Sequence, residues 1–244
     1  MADTAATVLS ATGLTVGYAG VAVARDIDLE VGAREVVALL GPNGAGKTSL
    51  LLTLAGFLPP IAGEVVVDGQ PLRPGSPRRA NAAGVVLVPD TRALFTQLTA
   101  SENLELAAGK RSTADVLDLF PALQKRAAVP AGALSGGEQQ MLAVARALVQ
   151  EPKVLLIDEM SMGLAPVIVE ALIPVVRSAA EARGAGVVLV EQHVHLALEA
   201  ADRALVLVHG SVVLSGSAEQ IRSNPAALEA AYLGAAETSV EPTN

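Results

Sequence analysis

The feature that most constrains this chain is a glycine-rich loop between an apolar strand and a helix. The five residues Val36–Leu40 are all aliphatic, which is typical of a buried parallel strand. They lead into Gly41-Pro42-Asn43-Gly44-Ala45-Gly46-Lys47-Thr48, which matches the phosphate-loop pattern G-x-x-x-x-G-K-[ST], and Ser49 follows. In such a loop, backbone N–H groups converge on phosphate oxygens, the lysine reaches the β- and γ-phosphates, and the threonine coordinates Mg²⁺. The sequence therefore predicts a nucleoside triphosphate site; the alternative is an ordinary glycine turn.

Composition limits the classes of function that remain. The 244 residues are 51% apolar, which suits one large α/β domain, and only 2% aromatic, so the core must be alanine, valine and leucine. The net charge of −8 argues against nucleic acid as the main partner, since phosphate backbones require clustered lysine and arginine. The lack of cysteine excludes disulfides and thiolate chemistry, and three scattered histidines are too few for a metal cluster.

The apolar composition does not indicate a membrane-spanning chain. The longest apolar runs, such as Val36–Leu40 and Val154–Ile157, have the length of strands, whereas a spanning helix needs about 20 residues. The N-terminus has no basic region before an apolar stretch, so we expect no secretion signal. Any association with a membrane is therefore expected to depend on a partner.

The order of predicted elements indicates an α/β fold with a mostly parallel sheet. Residues 1–35 alternate in strand fashion, and further strands are predicted at Gly63–Gly69, Val85–Val88, Val154–Ile157, Val187–Val190, Ala204–Val208 and Val212–Leu214. Helices are predicted at Lys47–Ala55, Ser135–Val149, Val167–Arg183 and Ser112–Phe120, the last of which Pro121 is expected to end. We expect one nucleotide-binding domain at 8–234 with a helical insertion at roughly 95–150, an N-terminal tail at 1–7 and a disordered C-terminal tail at 235–244.

Two carboxylates follow the predicted strand Val154–Ile157. At the carboxyl edge of a parallel sheet, Asp158 can meet Mg²⁺ through water, and Glu159 can polarise the water that attacks the γ-phosphate. An Asp-Glu pair after an apolar run is by itself more often a solvated loop. Its distance after Ser135 and its place in a strand–helix alternation favour the catalytic interpretation.

Two further side chains are candidates for contact with the nucleotide. His193 follows the strand Val187–Val190, where it can hydrogen-bond the γ-phosphate; a surface loop histidine is the alternative. Tyr18 precedes the glycine-rich loop, where its ring can stack on adenine; packing under the antiparallel sheet is the alternative.

The segment Leu134-Ser135-Gly136-Gly137-Glu138-Gln139-Gln140 makes the pattern specific. In combination with Gly41–Thr48, Val154–Glu159 and His193, it resembles an ABC transporter ATP-binding subunit over residues 8–234. Ser161–Pro166, Val190–Gln192 and Tyr232–Gly234 further resemble the ATPase subunits of branched-chain amino-acid importers. The fold that this resemblance implies is a P-loop NTPase core with an N-terminal antiparallel β subdomain and an inserted helical subdomain.

The resemblance also implies cofactors and partners. ATP and Mg²⁺ would bind between two subunits, with the phosphate loop of one facing Ser135, Gly136 and Gly137 of the other. A small hydroxyl, bare backbone and a helix N-terminus agree with an anion site. The second ATPase would be the same chain or a related one. Integral membrane permease subunits would dock on the segment around Asp90–Thr99 and on the helical insertion, and a substrate-binding protein would act indirectly. Such a subunit is cytoplasmic and peripheral on the inner face of the membrane.

The chain departs from the family pattern at three positions. Asp90 stands where ABC ATPases usually carry glutamine and the importer subgroup glutamate; it is predicted as a catalytic and Mg²⁺-binding residue with a shorter reach. Met160 replaces the usual proline after Glu159, and Ala165 stands where many relatives have aspartate in the loop facing the partner subunit.

Other functions remain open from the sequence. The same ATPase role could serve another cargo, such as urea, because cargo is chosen by other subunits. A non-transport ABC ATPase in cofactor assembly is a second alternative, whereas a DNA-repair ATPase would need a long coiled-coil insertion, which is absent. A third is a nucleotide-gated regulatory module without turnover, against which Glu159 and His193 argue.

Overall fold

The protein contains two β-sheets, and the strand that leads into the phosphate loop belongs to the larger one. The computed structural model describes residues 6–164 and 166–237. The strands are β1 (Thr7–Tyr18), β2 (Val21–Gly32), β3 (Val36–Leu40), β4 (Ala62–Val67), β5 (Gln70–Pro71), β6 (Val85–Val88), β7 (Val154–Asp158), β8 (Gly186–Val190), β9 (Arg203–Val208) and β10 (Ser211–Ser217). The helices are α1 (Lys47–Leu54), α2 (Pro77–Ala82), α3 (Ala100–Ala108), α4 (Ala114–Asp118), α5 (Pro121–Gln124), α6 (Gly136–Leu148), α7 (Pro166–Arg183), α8 (Val194–Ala200), α9 (Ala218–Arg222) and α10 (Pro225–Glu237).

The larger sheet is mostly parallel and the smaller one is antiparallel. The larger sheet has the order β10-β9-β3-β8-β7-β6, in which all neighbours pair in parallel except β10 and β9. The smaller sheet has the order β2-β1-β4-β5. Helices α3 to α6 lie between β6 and β7, in the stretch 95–150 expected to form the helical insertion. This arrangement agrees with the predicted fold class.

The core lies on both faces of β3, which explains its uninterrupted apolar sequence. All five residues of this strand are buried. Ala38 and Leu40 pack into the cluster that includes α6, α7 and α8. Val37 and Leu39 pack into the second cluster, with α1 and the antiparallel sheet. Because both faces are covered, side chains on β3 are apolar at every position rather than at alternate ones.

The structure differs from the sequence-based expectation in the helices. The predicted helix Ser112–Phe120 is shorter, and Pro121 begins α5 instead of ending a helix, because proline suits the first helical position. Helix α10 reaches Glu237, three residues into the tail predicted at 235–244. The remainder of that tail, most of the predicted N-terminal tail, and Ala165 lie outside the described residues. Within 6–164 and 166–237, no helix is long and apolar enough to cross a bilayer.

Candidate active site

The topology brings four predicted motifs to one edge of the parallel sheet. Strand β3 ends in the phosphate loop, β8 ends before His193, β7 ends at Asp158, and β6 ends shortly before Asp90. These strands are consecutive neighbours in the sheet. The carboxyl ends of parallel strands lie at the same edge, which is the usual place for ligands in such sheets. Sequence segments more than 100 residues apart therefore meet at a single site.

The phosphate loop has a backbone that requires glycine. Gly41 has φ 144°, and a Cβ atom there would lie 2.0 Å from the carbonyl oxygen of Leu207. Gly46, the residue before α1, has φ 102°, and among the described residues no side chain caps this helix. The first N–H groups of α1 thus stay available to an anion.

Lys47 is folded back over its own loop. Its side chain is only 5% exposed, and Nζ donates to the carbonyl oxygens of Gly41 (2.8 Å) and Pro42 (2.9 Å). Burial lowers the pKa of Lys47, while Glu159 and Asp158 act in the opposite direction. The ammonium group is therefore held by two neutral acceptors, which phosphate oxygens can replace with stronger, charge-assisted contacts.

A cavity of about 220 Å³ lies in front of this loop. It is lined by Val23 of β2, by Glu159, and by the loop and first helical turn at Asn43, Gly44, Gly46, Lys47, Thr48 and Ser49. The cavity thus joins the phosphate-binding backbone to the carboxylate predicted to polarise water. It has room for a phosphate group and its ligands.

Asp158 is buried and incompletely satisfied. It is 3% exposed, and in the described part of the chain its Oδ1 atom has no hydrogen-bond partner. Burial raises the pKa of Asp158; Thr48 and Lys47 counter this rise, whereas Glu159 and Asp90 add to it. An orphaned carboxylate oxygen near the Thr48 hydroxyl is the donor set expected for a hard cation, so these residues fit Mg²⁺. The described residues contain no cluster of three or more His, Cys, Asp or Glu side chains for a metal, and Mg²⁺ bound with nucleotide takes most of its ligands from phosphates and water.

Glu159 has a strained backbone and a held side chain. Its φ of 49° is unusual for a residue with a side chain. Its N–H donates to the carbonyl oxygen of Val190 (3.0 Å), and its Oε1 accepts a hydrogen bond from Nε2 of Gln192 (2.6 Å). The carboxylate therefore has a defined orientation at the cavity wall.

His193 and Tyr18 are both exposed, as contact with a ligand requires. His193 is the residue before α8 and directly follows Gln192. Tyr18 is 73% exposed at the turn of the β1–β2 hairpin, so it does not pack under the antiparallel sheet. Val23, farther along the same hairpin, lines the cavity. Tyr18 itself is not among the described residues that line the cavity, so stacking of its ring on adenine stays a prediction.

Asp90 is exposed and takes part in a turn. Its Oδ1 accepts a hydrogen bond from the N–H of Thr91 (2.7 Å). It nevertheless lies close enough to Asp158 to raise the pKa of that carboxyl. Asp90 thus lies at the predicted site, with one of its oxygens occupied locally.

The second predicted half-site lies elsewhere on the chain. Ser135 caps α6: its hydroxyl accepts from the Glu138 N–H (3.3 Å), and Glu138 accepts from the Ser135 N–H (2.8 Å). Ser135 and Gly136 are exposed, and of the described residues those lining the phosphate-loop cavity do not include them. A Cβ at Gly137 would lie 3.0 Å from the Ile168 side chain, which would have to shift to accept it. The structure does not bring this segment to the chain's own phosphate loop.

Sequence reasoning did not assign roles to several residues that the structure places at these sites. Arg92, with φ 63°, donates from Nε to Gln140 (2.9 Å) and from Nη1 to Gln139 (3.0 Å), and so ties the Asp90 segment to α6. Glu191 and Gln192 contact the turn that carries Glu159. The Tyr232 side chain of α10 interacts with the Gly41 backbone. Three of these residues belong to segments that carry the family resemblance, namely Glu191, Gln192 and Tyr232. Their spacing in the sequence does not indicate a chemical role.

This fold and site define a phosphate-loop ATPase of the cassette type. The sequence model of the family described as "ABC transporter" matches residues 24–162. The chain is 38% identical over 224 residues to the high-affinity branched-chain amino acid transport ATP-binding protein BraG of Pseudomonas aeruginosa, covering 89% of this chain and 95% of that protein. It is 35% identical to the probable branched-chain amino acid transport ATP-binding protein LivF of Archaeoglobus fulgidus, covering 85% and 91%. The chain belongs to the ABC transporter family, and it is an ABC ATPase.

Solved structures agree with this assignment. A structure described as the ATP-binding subunit of an ABC transporter superposes with a TM-score of 0.80 at 28% identity, covering 94% of this chain and all of that one. A dimeric ATP-binding cassette in a post-hydrolysis state, bound to ADP and Pi, has a TM-score of 0.77 at 24% identity and covers 86% and 98%. The second likeness concerns the fold alone.

Proposed function

We propose that this chain is the ATP-binding and hydrolysing subunit of an importer for branched-chain or related amino acids, located at the cytoplasmic face of the membrane. The observation that carries the ATPase assignment is the cavity that joins the phosphate loop to Glu159. The names of the relatives BraG and LivF support the cargo class.

In the proposed mechanism the phosphate loop binds the phosphates of ATP, and a carboxylate orients the water that hydrolyses it. Lys47 exchanges the carbonyls of Gly41 and Pro42 for the β- and γ-phosphate oxygens, and the N–H groups at the start of α1 receive the remaining negative charge. The ring of Tyr18 stacks on adenine. Glu159 accepts a hydrogen bond from the attacking water and orients it toward the γ-phosphorus. His193 donates a hydrogen bond to the γ-phosphate.

Thr48 and Asp158 are the residues that would hold Mg²⁺, with Asp90 as a further candidate through water. The ion would neutralise charge on the β- and γ-phosphates. The orphaned Oδ1 of Asp158 supports this assignment, because a buried carboxylate oxygen without a partner is costly unless a ligand satisfies it.

A second ATPase subunit would complete the site. Ser135 and Gly137 present a hydroxyl and bare backbone at the N-terminus of α6, which is suited to the γ-phosphate of ATP held by the partner. The exposure of Ser135 and Gly136, away from the chain's own cavity, supports a composite site formed between two subunits. The partner is either a related chain, which we favour, or a second copy.

An apolar groove supports the proposal that membrane permease subunits dock on this chain. The groove has a volume of about 350 Å³. Its lining is mainly apolar and comes from α1 and the turn after it, α2, β6 and the Asp90 segment, with Leu52, Phe57, Pro77, Leu87, Pro89 and Ala93. Phe57 is 55% exposed. Pro89 and Ala93 flank Asp90, so an occupant of the groove would touch the segment next to the ATP site.

The test is reconstitution of the complete importer with the permeases, partner ATPase and binding protein from neighbouring genes. We expect ATP hydrolysis to be stimulated by leucine or a similar amino acid together with the binding protein, and uptake of that amino acid to require ATP. Stimulation by urea alone would contradict the cargo class. Co-purification with soluble partners and no permease would contradict the transport role.

A further inference from the structure

A buried carboxylate that the mechanism does not use lies at the end of β8. Glu191 is 1% exposed. Its Oε1 accepts the N–H of Ser161 (2.9 Å), and its Oε2 accepts the Ser161 hydroxyl. A buried charge is costly, and its hydrogen bonds rarely do more than offset that cost. Stability alone therefore does not explain the contact between Glu191 and Ser161, and a functional role is the alternative.

The residues on either side of Glu191 contact the same turn. The carbonyl oxygen of Val190 accepts the N–H of Glu159 (3.0 Å), and Nε2 of Gln192 donates to the Glu159 carboxylate (2.6 Å). Three consecutive residues, 190 to 192, thus hold the turn 159–161. That turn includes the positive φ of Glu159, a strained conformation that persists only when its surroundings fix it.

We propose that Glu191 and Gln192 together form a positioning clamp for Glu159. Glu191 fixes the backbone of the turn through Ser161, and Gln192 sets the direction of the carboxylate. Both are positioning residues, since neither contacts the reacting atoms. This inference rests on the proposed function, because the clamp matters for turnover only if Glu159 orients the attacking water.

The clamp also connects Glu159 to His193, the next residue along the chain. The segment 190–193 holds the carboxylate at one end and presents the proposed γ-phosphate contact at the other. Contact of His193 with the phosphate would therefore be transmitted to Glu159 over only a few bonds and hydrogen bonds. Burial raises the pKa of Glu191, while Ser161 and then His193 counter that rise and Glu159 adds to it.

The opposite side of the turn is held by packing. Met160, which stands where relatives usually have proline, is 1% exposed and belongs to the hydrophobic core. The turn between Glu159 and Ser161 is thus fixed by a buried apolar side chain on one side and by Glu191 on the other. The clamp supplies rigidity that a proline at position 160 would otherwise contribute through its fixed φ.

The test compares Glu191→Gln and Gln192→Ala with Glu199→Gln, a control in which an exposed glutamate of α8 receives the same change. We expect kcat to fall roughly 10–10²-fold in both clamp variants, because a misplaced reacting group costs about that much, while KM for ATP changes less than about twofold. The control should retain the parent kcat. Gln192 is exposed, so Gln192→Ala is expected to fold even if Glu191→Gln does not.

A second measurement separates positioning from a merely structural role. With Glu159 already replaced by Gln, Gln192→Ala should cause no further loss in single-turnover hydrolysis, since there is no carboxylate left to orient. Equal losses in both backgrounds, or a parent kcat in both clamp variants, would overturn the clamp. Parent-like hydrolysis by Glu159→Gln itself would instead overturn the catalytic role on which the inference rests.

Discussion

The two halves of the proposed ATP site are built to different degrees within one chain. The phosphate-loop half is already shaped: Lys47 is buried and bonded to its own loop, and one cavity is lined by both the loop and Glu159. The half at Ser135 is an exposed helix N-terminus outside that cavity. In the proposed composite site the phosphate-loop half is formed without nucleotide, whereas the Ser135 half would contact only a nucleotide held by a partner subunit.

The two halves also differ in the origin of their charge. The phosphate-loop half concentrates Lys47, Asp158 and Glu159; the charge of Glu159 opposes the burial-lowered pKa of Lys47 and adds to the burial-raised pKa of Asp158. At α6, the carboxylate near the helix start is Glu138, whose pKa is lowered by its hydrogen bonds to Ser135. The Ser135 hydroxyl accepts one bond there and still has a proton to donate to phosphate. We therefore expect the phosphate-loop half to bind phosphate mainly through charge, and the Ser135 half to bind it mainly through hydrogen bonds.

The largest effect is expected from the carboxylate in the phosphate-loop half. Glu159→Gln should slow hydrolysis roughly 10²–10⁴-fold, the usual contribution of a general base, while nucleotide affinity persists. The variant should accumulate as an ATP-bound dimer. Steady-state phosphate release and sedimentation with ATP measure both effects, with the exposed Glu151→Gln as a control. Hydrolysis at the parent rate would remove Glu159 from the mechanism.

A pair of substitutions should separate the two halves directly. Lys47→Ala is expected to weaken ATP binding by the chain roughly 10–10²-fold, because a charged hydrogen bond contributes about 1.5–3 kcal/mol. Ser135→Arg should leave that binding unchanged and reduce turnover of the dimer instead, since it blocks the partner's ATP. Titration of the isolated chain with nucleotide and the dependence of rate on protein concentration measure these effects. Full activity of Ser135→Arg, or a rate independent of concentration, would rule out the composite site.

A smaller effect is expected at Asp90, which follows Pro89 of the apolar groove and raises the pKa of Asp158. Asp90→Ala should lower the permease-stimulated rate about 5-fold, which corresponds to the loss of one hydrogen bond of about 1 kcal/mol. Binding of ATP should persist. Rates measured with and without permease test this, and an unchanged stimulated rate would leave Asp90 as the turn residue that its bond to Thr91 makes it.

Sequence patterns predicted the strands and the loop of the phosphate-loop half better than the side-chain contacts between distant segments around it. The strand Val36–Leu40 and its loop are local features, so their conformation follows from neighbouring residues. The strands ending at Val88 and Val190 also appear where the apolar runs predict them. Their common edge follows from parallel pairing, which the alternation of strands and helices indicates.

The contacts between distant segments could not be predicted in the same way. The bond of Glu191 to Ser161 joins residues 30 positions apart, and that of Arg92 to Gln140 spans 48. Side-chain partners of this kind depend on how strand ends and helices pack, which no periodicity records. Pro121 shows that local sequence patterns can also be ambiguous, because proline is compatible both with the end of one helix and with the start of the next.

The smallest effect is expected on the stability of the nucleotide-free protein. It tests whether Asp158, in the phosphate-loop half, favours cation binding at a cost to folding. Asp158→Asn should stabilise the nucleotide-free protein by about 1 kcal/mol, or roughly 2–4 °C in Tm, because it removes a buried charge with an unsatisfied oxygen. Burial raises the pKa of Asp158, so the folded state binds its proton more tightly than the unfolded state does. The cost of the carboxylate is therefore absent below its unfolded pKa, grows as the pH rises from that value toward the folded pKa, and is complete above the folded pKa. Thermal unfolding of both proteins should give a larger difference at pH 8 than at pH 4, and a difference that is zero or reversed at pH 8 would show that Lys47 and Thr48 already satisfy Asp158 without Mg²⁺.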